Sequence, residues 1–517
     1  MPRAPAVCWS PVIISSDLPG LGDTAREDSP SERFARIVGA ATLLAGIFVA
    51  WRYYRAGLTL SHYDAKAHLV VARRIIDSIT PGWQQIGAVW LPLPHLLNLL
   101  PVQNDVFFRT GLSAVAISVA ALGLAAYALA RSVLRATGSR LAAVSGAAML
   151  ALNPNLLYLQ STPMTEPLLI GLNFLATALV FEWVTRDGST SPRAAGWALA
   201  LACLTRYEAW LVTSAVLATA WFAFVRLGKS PVDAGRRTAT IALYPLTAIL
   251  GFLVHSRVTI GEWFVTSGFF VPDNLASGHP LKGVMEIWWG SHVLSGYAVA
   301  TLGLLSAAIV FVQAAASPKR APLMITLAPL AAAALPWYAF VQGHPFRIRY
   351  MIPVVAAGAL CAGVAAGLTR FRYLAAATIA ACLVYEIRPL DRTAPMVVEA
   401  QCDRRNSLDR RRVTDCLTRG YDGEKIMVSM GSLAHYMQET SNAGFRLRDF
   451  LHEGNGELWL AALGDPGRIA GWILVEERAE GGDMLAAIHR STPHVFDRFV
   501  RVCEGGGVAL YKRRSPP

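Results

Sequence analysis

Residues 36–74 read RIVGAATLLAGIFVAWRYYRAGLTLSHYDAKAHLVVARR. The first half, to about residue 56, is an apolar run of about 20 residues, the length that crosses a bilayer core. Immediately after it come His62, Asp64, Lys66, His68, Arg73 and Arg74, set around a short apolar helix. A chain that leaves a membrane and at once gathers charges and imidazoles is arranging polar chemistry at the membrane surface.

The rest of the chain repeats the first half of that pattern. Apolar runs recur near 107–130, 141–159, 165–185, 193–204, 209–225, 238–256, 291–314, 321–341, 350–369 and 373–387. The run at 193–204 is short enough to be one arm of a broken helix. Of the 517 residues, 54% are hydrophobic and 16% charged, which is apolar for a soluble protein. The expectation is a polytopic α-helical membrane protein with about eleven transmembrane helices. Counted from a cytoplasmic N-terminus, the inner loops are RSVLRATGSR, RDGSTSPR, RLGKSPVDAGRR, SPKR and TRFR, each with at least two Lys or Arg. The net charge of +12 is therefore that of basic inner loops and implies no nucleic-acid partner. Residues 1–35 read as a disordered cytoplasmic tail without a cleavable signal peptide.

The outer loops are longer, roughly 57–106 and 257–290. An odd number of crossings puts residues 391–517 outside. That segment is charged at its start. KIMVSM, GWILVEE and GVALYKR read as strands, and SLAHYMQET and GDMLAAIHRST as helices, a small extracytoplasmic α/β domain. Cys203, Cys361 and Cys382 read as apolar fillers. Cys402 and Cys416 are expected to form a disulfide outside the cytoplasm. No paired ligand spacing points to zinc.

Placed on a helix over 63–79, His68, Ala72, Ile75 and Ile79 share a stripe with Asp64, one turn before His68. Lys66, Arg73, Arg74 and Asp77 fall opposite, on a face expected to be solvated or to meet headgroups. Asp64 either caps the helix or serves function; an inward carboxylate at a membrane surface is costly and favours the second. His68 is either packed or in contact with substrate. In GAVWLPLPHLLNLLP the prolines break a helix, Trp90 suits an interface, and His95 stands where the chain re-enters the bundle.

The stretch YDAKAHLVVARRIIDSITPGWQQIGAVWLPLPHLL resembles the first external loop of the GT-C glycosyltransferases. That superfamily includes the protein O-mannosyltransferases and the bacterial aminoarabinose and RgtA/B/C/D-like lipid sugar transferases. STPMTEPLL, LTRYEAWL and HPFRIRYMIPVV resemble later outer-end motifs, and LHEGNGELWLAAL, GWILVEE, FDRFVRV and VALYKR the external C-terminal domain of bacterial members. The resemblance spans roughly 36–517, with 36–390 as the transmembrane part. The superfamily's first loop shows an Asp-Glu or Asp-x-Asp type signature; here Ala65 follows Asp64, so a second acid must come from elsewhere. Glu166, at an outer helix end, is the first candidate and Glu208 the next.

The resemblance implies transfer, with inversion, of a sugar from a polyprenyl-phosphate donor to an extracytoplasmic lipid, glycan or protein. The site would lie at the outer face of the plasma (inner) membrane. Asp64 would be the base. Arg347 and Arg349 would hold the leaving phosphate, with Arg206 as a second clamp. His68, His95, Glu208 and Tyr350 would contact substrate. Arg257 and Lys282 are further outer-side cations. No cofactor is expected, with a divalent cation near Asp64 and Glu166 left open. The rival class is a transporter or flippase of an envelope lipid or glycan, which would more often show repeated halves.

Overall fold

The computed structural model describes residues 29–265, 274–479 and 482–514. Most of the expected tail, residues 1–28, lies outside the described residues. Its last part does not: Ser29 caps a helix by accepting from the Glu32 amide at 3.2 Å, and Pro30 occupies the first turn. Helix α1 (Pro30–Arg55) thus starts before the tail's expected end at residue 35.

After α1 come α2 (Tyr63–Arg74), α3 (Leu93–Leu97) and α4 (Asp105–Thr110), then α5 (Leu112–Thr137), α6 (Arg140–Ala151), α7 (Pro154–Leu159) and α8 (Glu166–Thr185). The bundle continues with α9 (Arg193–Cys203), α10 (Glu208–Arg226), α11 (Pro231–Ile260), α12 (Pro280–Ser295) and α13 (Tyr297–Ala316). A tightly wound segment, Pro318–Ala333, carries Pro322 and Pro329 and runs into α14 (Ala334–Val341); α15 (Ile352–Leu368) and α16 (Arg372–Glu386) complete the bundle. Eight helical stretches among the described residues are long and apolar enough to cross a membrane. The other three expected runs form helices of 12, 11 and 15 residues, α6, α9 and α16. At 1.5 Å per residue each is shorter than the roughly 30 Å apolar core.

Small residues let the helices approach closely. A methyl group at Gly171 of α8 would lie 2.7 Å from the Ala121 carbonyl oxygen of α5, so the two backbones are in contact there. α5 packs against α1, α6, α8 and α15 and forms the centre of the apolar core.

Beyond the bundle, α17 (Pro395–Ala400) and α18 (Arg404–Gly420) lead into a mixed sheet of β1 (Lys425–Val428), β2 (Phe450–Leu451), β3 (Ala470–Glu476), β4 (Phe499–Gly505) and β5 (Val508–Arg513). The order is β2-β1-β3-β5-β4; β1 runs parallel to β2 and β3, and β5 antiparallel to β3 and β4. Helix α19 (Met430–Thr440) follows β1 and packs on α2. The short β2 and the bulged β4 have no clear alternation and escaped the sequence reading.

The expected Cys402–Cys416 disulfide is not formed. Cys416, near the end of α18, is bonded to Cys503 of β4, with Cα atoms 6.4 Å apart, and Cys402 is free and exposed. The reason is helical rise: fourteen residues, mostly along α18, separate Cys402 from Cys416 by about 20 Å, far beyond a disulfide's span.

A second correction concerns α2. Every residue after Tyr63 is buried, including Lys66, Arg73 and Arg74. The face expected to meet water or headgroups is covered by the C-terminal sheet domain. The helix is also shorter than expected, ending at Arg74, ahead of the turn that holds Pro81 and Gly82 (φ 147°).

Candidate active site

The site forms where helix ends from distant segments meet. At the start of α2, His62 is the capping residue: its Nδ1 accepts from the Asp64 amide at 3.1 Å. Asp64 is the second residue of the helix, and the cap is therefore not its role. Its carboxylate instead meets the Arg349 guanidinium, Oδ2 to Nη2, at 2.5 Å. Burial pushes the Asp64 carboxyl up, but Arg349, His62 and His68 outweigh it and hold it at about 2.

Arg349 lies in the single turn Ile348–Met351 that precedes α15, and is 8% exposed. Its Nη1 is 3.1 Å from His62 Nε2, and its Nε is 3.7 Å from Glu166 Oε1, beyond hydrogen-bond reach. The His62 tautomer settles what these contacts are. Nδ1 accepts the Asp64 amide, so the proton of a neutral ring is on Nε2, where it donates to Glu399 Oε1 at 3.4 Å. Arg349 Nη1 then faces another donor. Of its nitrogens only Nη2 has a strong acceptor, and Nε has no hydrogen-bond partner among the described residues.

Glu166 is the first residue of α8 and is fully buried. Its Oε1 accepts from Arg206 Nη1 at 3.0 Å, while Oε2 has no partner among the described residues. Arg206, in the turn between α9 and α10, also donates to Thr165 Oγ1 at 3.1 Å and to Glu208 Oε1 at 2.7 Å and 3.1 Å. The Tyr350 ring lies 5.9 Å from the Arg206 guanidinium and 5.6 Å from that of Arg349, a cation–π contact with each. Arg347 is half-buried beside them, close enough for its charge to act on Tyr63 and Glu399.

His68 and His95 meet as well, Nδ1 to Nε2 at 3.1 Å, with the Trp90 ring centred 4.1 Å from that of His68. Asp64, Glu166, Arg206, Glu208, Arg349 and Tyr350 thus form one contiguous cluster, flanked by Arg347 and by the His68–His95 pair. Arg257 and Lys282 are exposed on α11 and α12 and make no ion pair with this cluster among the described residues. No group of three or more His, Cys, Asp or Glu side chains among the described residues is arranged to hold a metal ion.

Two residues of the cluster were not found from sequence. His62 precedes the helix and carries no signal beyond being polar. Glu399, on α17, stands 337 positions from His62 in an ordinary short helix. Burial raises the Glu399 carboxyl, but the His62 hydrogen bond and the charges of Arg349 and Arg347 bring it below its usual value.

No family model matches the sequence, and no curated protein matches it. Solved structures do. ArnT from Cupriavidus metallidurans bound to undecaprenyl phosphate is similar with a TM-score of 0.56 at 12% identity, over 90% of this chain and 97% of that one. The apo state of the same ArnT gives 0.56 at 13% identity, over 91% and 98%. At such low identity the likeness establishes the architecture: a polytopic helical GT-C fold with a C-terminal domain.

Proposed function

We propose that the protein is an integral-membrane glycosyltransferase that takes a sugar from a polyprenyl-phosphate donor and transfers it, with inversion, to an extracytoplasmic acceptor. The observation that carries this reading is Arg349. It is a buried guanidinium at the meeting point of two carboxylates, yet its Nε and Nη1 lack good acceptors. A planar cation with two unsatisfied N–H groups matches the oxygens of a phosphate. The GT-C architecture and the undecaprenyl phosphate bound to the similar ArnT support the same ligand class.

In this reading the sugar phosphate draws Arg349 toward itself, with Arg206 as the second clamp and Arg347 adding charge. Asp64 loses its cation as the donor binds, and its carboxylate becomes a stronger base where it is needed. The acceptor hydroxyl attacks the anomeric carbon from the face opposite the phosphate. The carbon–phosphate oxygen bond breaks with its electron pair on the departing lipid phosphate, and the proton passes to Asp64. Glu166 and Glu208 hold Arg206 in place. The outer membrane face is the location, with the N-terminus cytoplasmic and the C-terminal domain outside. No observation favours the transporter reading.

The test is binding of undecaprenyl phosphate to purified protein. Arg349→Ala is expected to weaken it about ten- to a hundredfold, the worth of about 1.5–3 kcal/mol for hydrogen bonds to an ion. Arg349→Lys should recover part of the loss, since it restores charge without the fork. Equal affinity in parent and Arg349→Ala removes Arg349 from the phosphate site.

A further inference from the structure

His62 lies where three groups meet, and a neutral imidazole cannot satisfy all of them. Its side chain is fully buried. The Asp64 amide reaches Nδ1 at 3.1 Å, and Arg349 Nη1 reaches Nε2 at 3.1 Å. Both are donors, and a neutral ring has a single nitrogen lone pair. One of the two must go unsatisfied. The third group, the Glu399 carboxylate, has Oε1 3.4 Å from Nε2 and only accepts. It holds the ring proton on Nε2. The lone pair is then on Nδ1, where it caps α2, and Arg349 Nη1 faces a donor. In the other tautomer the proton is on Nδ1: Arg349 Nη1 gains an acceptor, and the Asp64 amide loses its cap.

Glu399 is held in place independently of His62. It is on α17, the first helix after the bundle, whose Met396, Val397 and Ala400 are buried in the main apolar core. Asn155 of α7 fastens that helix to the bundle. Its Oδ1 accepts from the Met396 amide at 2.9 Å, and its Nδ2 donates to the Leu294 carbonyl at 2.8 Å. Helix α17 also packs against the turn that carries Arg349. A carboxylate anchored in this way can set the tautomer of a ring 337 positions distant in sequence.

We propose that Glu399, acting through His62, is a positioning residue that keeps Arg349 short of protein acceptors and so free to bind a phosphate, while the same ring proton keeps Asp64 capped at the start of α2. This deepens the glycosyltransferase reading, on which it rests: the base and the phosphate clamp are set together by one proton on one imidazole. The sign of the effect separates it from simple electrostatics. The charges of Arg349 and Arg347 act on Glu399, so removing its carboxylate raises the local positive potential and by charge alone strengthens phosphate binding. Release of the His62 tautomer does the opposite, because Arg349 is then satisfied by His62 and must give up that bond to reach the phosphate.

The experiment measures binding of undecaprenyl phosphate to the purified full-length protein: the parent, Glu399→Leu, Glu399→Gln, His62→Asn, and Glu399→Leu combined with His62→Asn. Glu399→Leu is expected to weaken binding about fivefold, the gain of an ionic hydrogen bond at Arg349 being offset in part by the lost cap. Glu399→Gln removes the charge but keeps an oxygen acceptor for the Nε2 proton, and should recover part of that loss. His62→Asn keeps an oxygen for the Asp64 amide and has no atom at the place of Nε2. In that background Glu399→Leu should leave affinity unchanged or raise it. An equal loss in both backgrounds overturns the proposal, because it shows no coupling between Glu399 and His62. Unchanged or tighter binding in folded Glu399→Leu with His62 present overturns it too. So do equal losses in Glu399→Leu and Glu399→Gln, which differ in the acceptor and not in charge. If Glu399→Leu fails to fold, Glu399→Ala takes its place in the same comparison. Failure of the parent to bind undecaprenyl phosphate overturns the glycosyltransferase reading, and this proposal with it.

Discussion

The two faces of α2 carry similar residues and do different things. On one face, Asp64 and His68 meet a cluster in which several polar atoms are left without partners: Arg349 Nε, Glu166 Oε2 and Asn98 Oδ1. On the other, Lys66, Arg73 and Asp77 are ion-paired and half of the partners come from the C-terminal domain, while Arg73 Nη1 and Arg74 Nε have no hydrogen-bond partner among the described residues. Lys66 Nζ meets Glu439 Oε1 at 2.5 Å, and Glu439 also holds the fully buried Arg410. Arg73 bonds Asp77 at 3.0 Å and Asp105 at 2.6 Å, and stacks over Phe108 at 4.5 Å. Asp77 in turn accepts from Arg448 at 2.9 Å and from the Leu447 amide at 3.3 Å. Arg74 points at the Met430 sulfur. The ion pairs Lys66–Glu439 and Asp77–Arg448 cross from α2 to the C-terminal domain and hold the two together, whereas the Asp64–Arg349 pair belongs to the candidate active site. The C-terminal domain is therefore part of the scaffold that aims Asp64 and His68.

The comparison breaks most visibly at Glu439. Glu439→Gln strips both Lys66 and Arg410 of a buried counter-charge, a loss of about 3–5 kcal/mol. Thermal unfolding or limited proteolysis of the C-terminal domain should show it. Acid gives the same answer without mutation. Burial raises the Glu439 carboxyl, but the Arg410 hydrogen bond and the charges of Lys66 and Arg410 bring it to about 2, below an unfolded value of about 4.3. A depressed folded value means the stabilisation is complete above about pH 4.3 and is lost as pH falls toward 2. Proteolysis that is insensitive to Glu439→Gln would make the domain an independent appendage.

Asp64 should respond in the opposite sense. Asp64→Asn keeps the shape and the cap is supplied by His62, but the buried Arg349 loses its counter-charge, so some stability is lost while the fold and donor binding should survive. Transfer should fall at least about a hundredfold, the low end of a positioned base's contribution. A variant that unfolds while the folded remainder transfers at the parent rate would place Asp64 with the structural face.

Arg448→Ala is the smallest expected effect and the sharpest control. Its side chain is 53% exposed, so its bridge to Asp77 is solvent-screened and worth below about 1 kcal/mol. Neither transfer nor melting temperature should change much. A large change would mean that exposure is a poor guide to which bridges of this interface matter.

Much of the cluster was legible because membrane sequences leave few reasons for a charge at a helix end. Asp64, Glu166, Arg206, Glu208 and Arg349 each interrupt an apolar context, and the cost of burying them marks each one individually. Which of them meet was not legible. Nor were Glu399 and His62, whose surroundings are ordinary, nor the fate of the basic face of α2, whose pattern alone is that of any solvated helix. The disulfide misled for a related reason: proximity in sequence suggested Cys402 as the partner of Cys416, and a helix carried the two apart.

What the sequence by itself determined is the list of apolar helices, their approximate limits, three of the five strands of the C-terminal domain and a set of polar groups too costly to be incidental. These follow from local rules, the period of a helix and the length of a bilayer core, which act within about 20 residues. The tertiary structure alone decided the pairings: Asp64 with Arg349, His68 with His95, Lys66 with Glu439 across 373 positions, and Cys416 with Cys503. The physical reason is range. Hydrophobic length and helical period are written in neighbouring residues, whereas hydrogen bonds and ion pairs act over a few ångströms of space that the sequence between two partners does not measure.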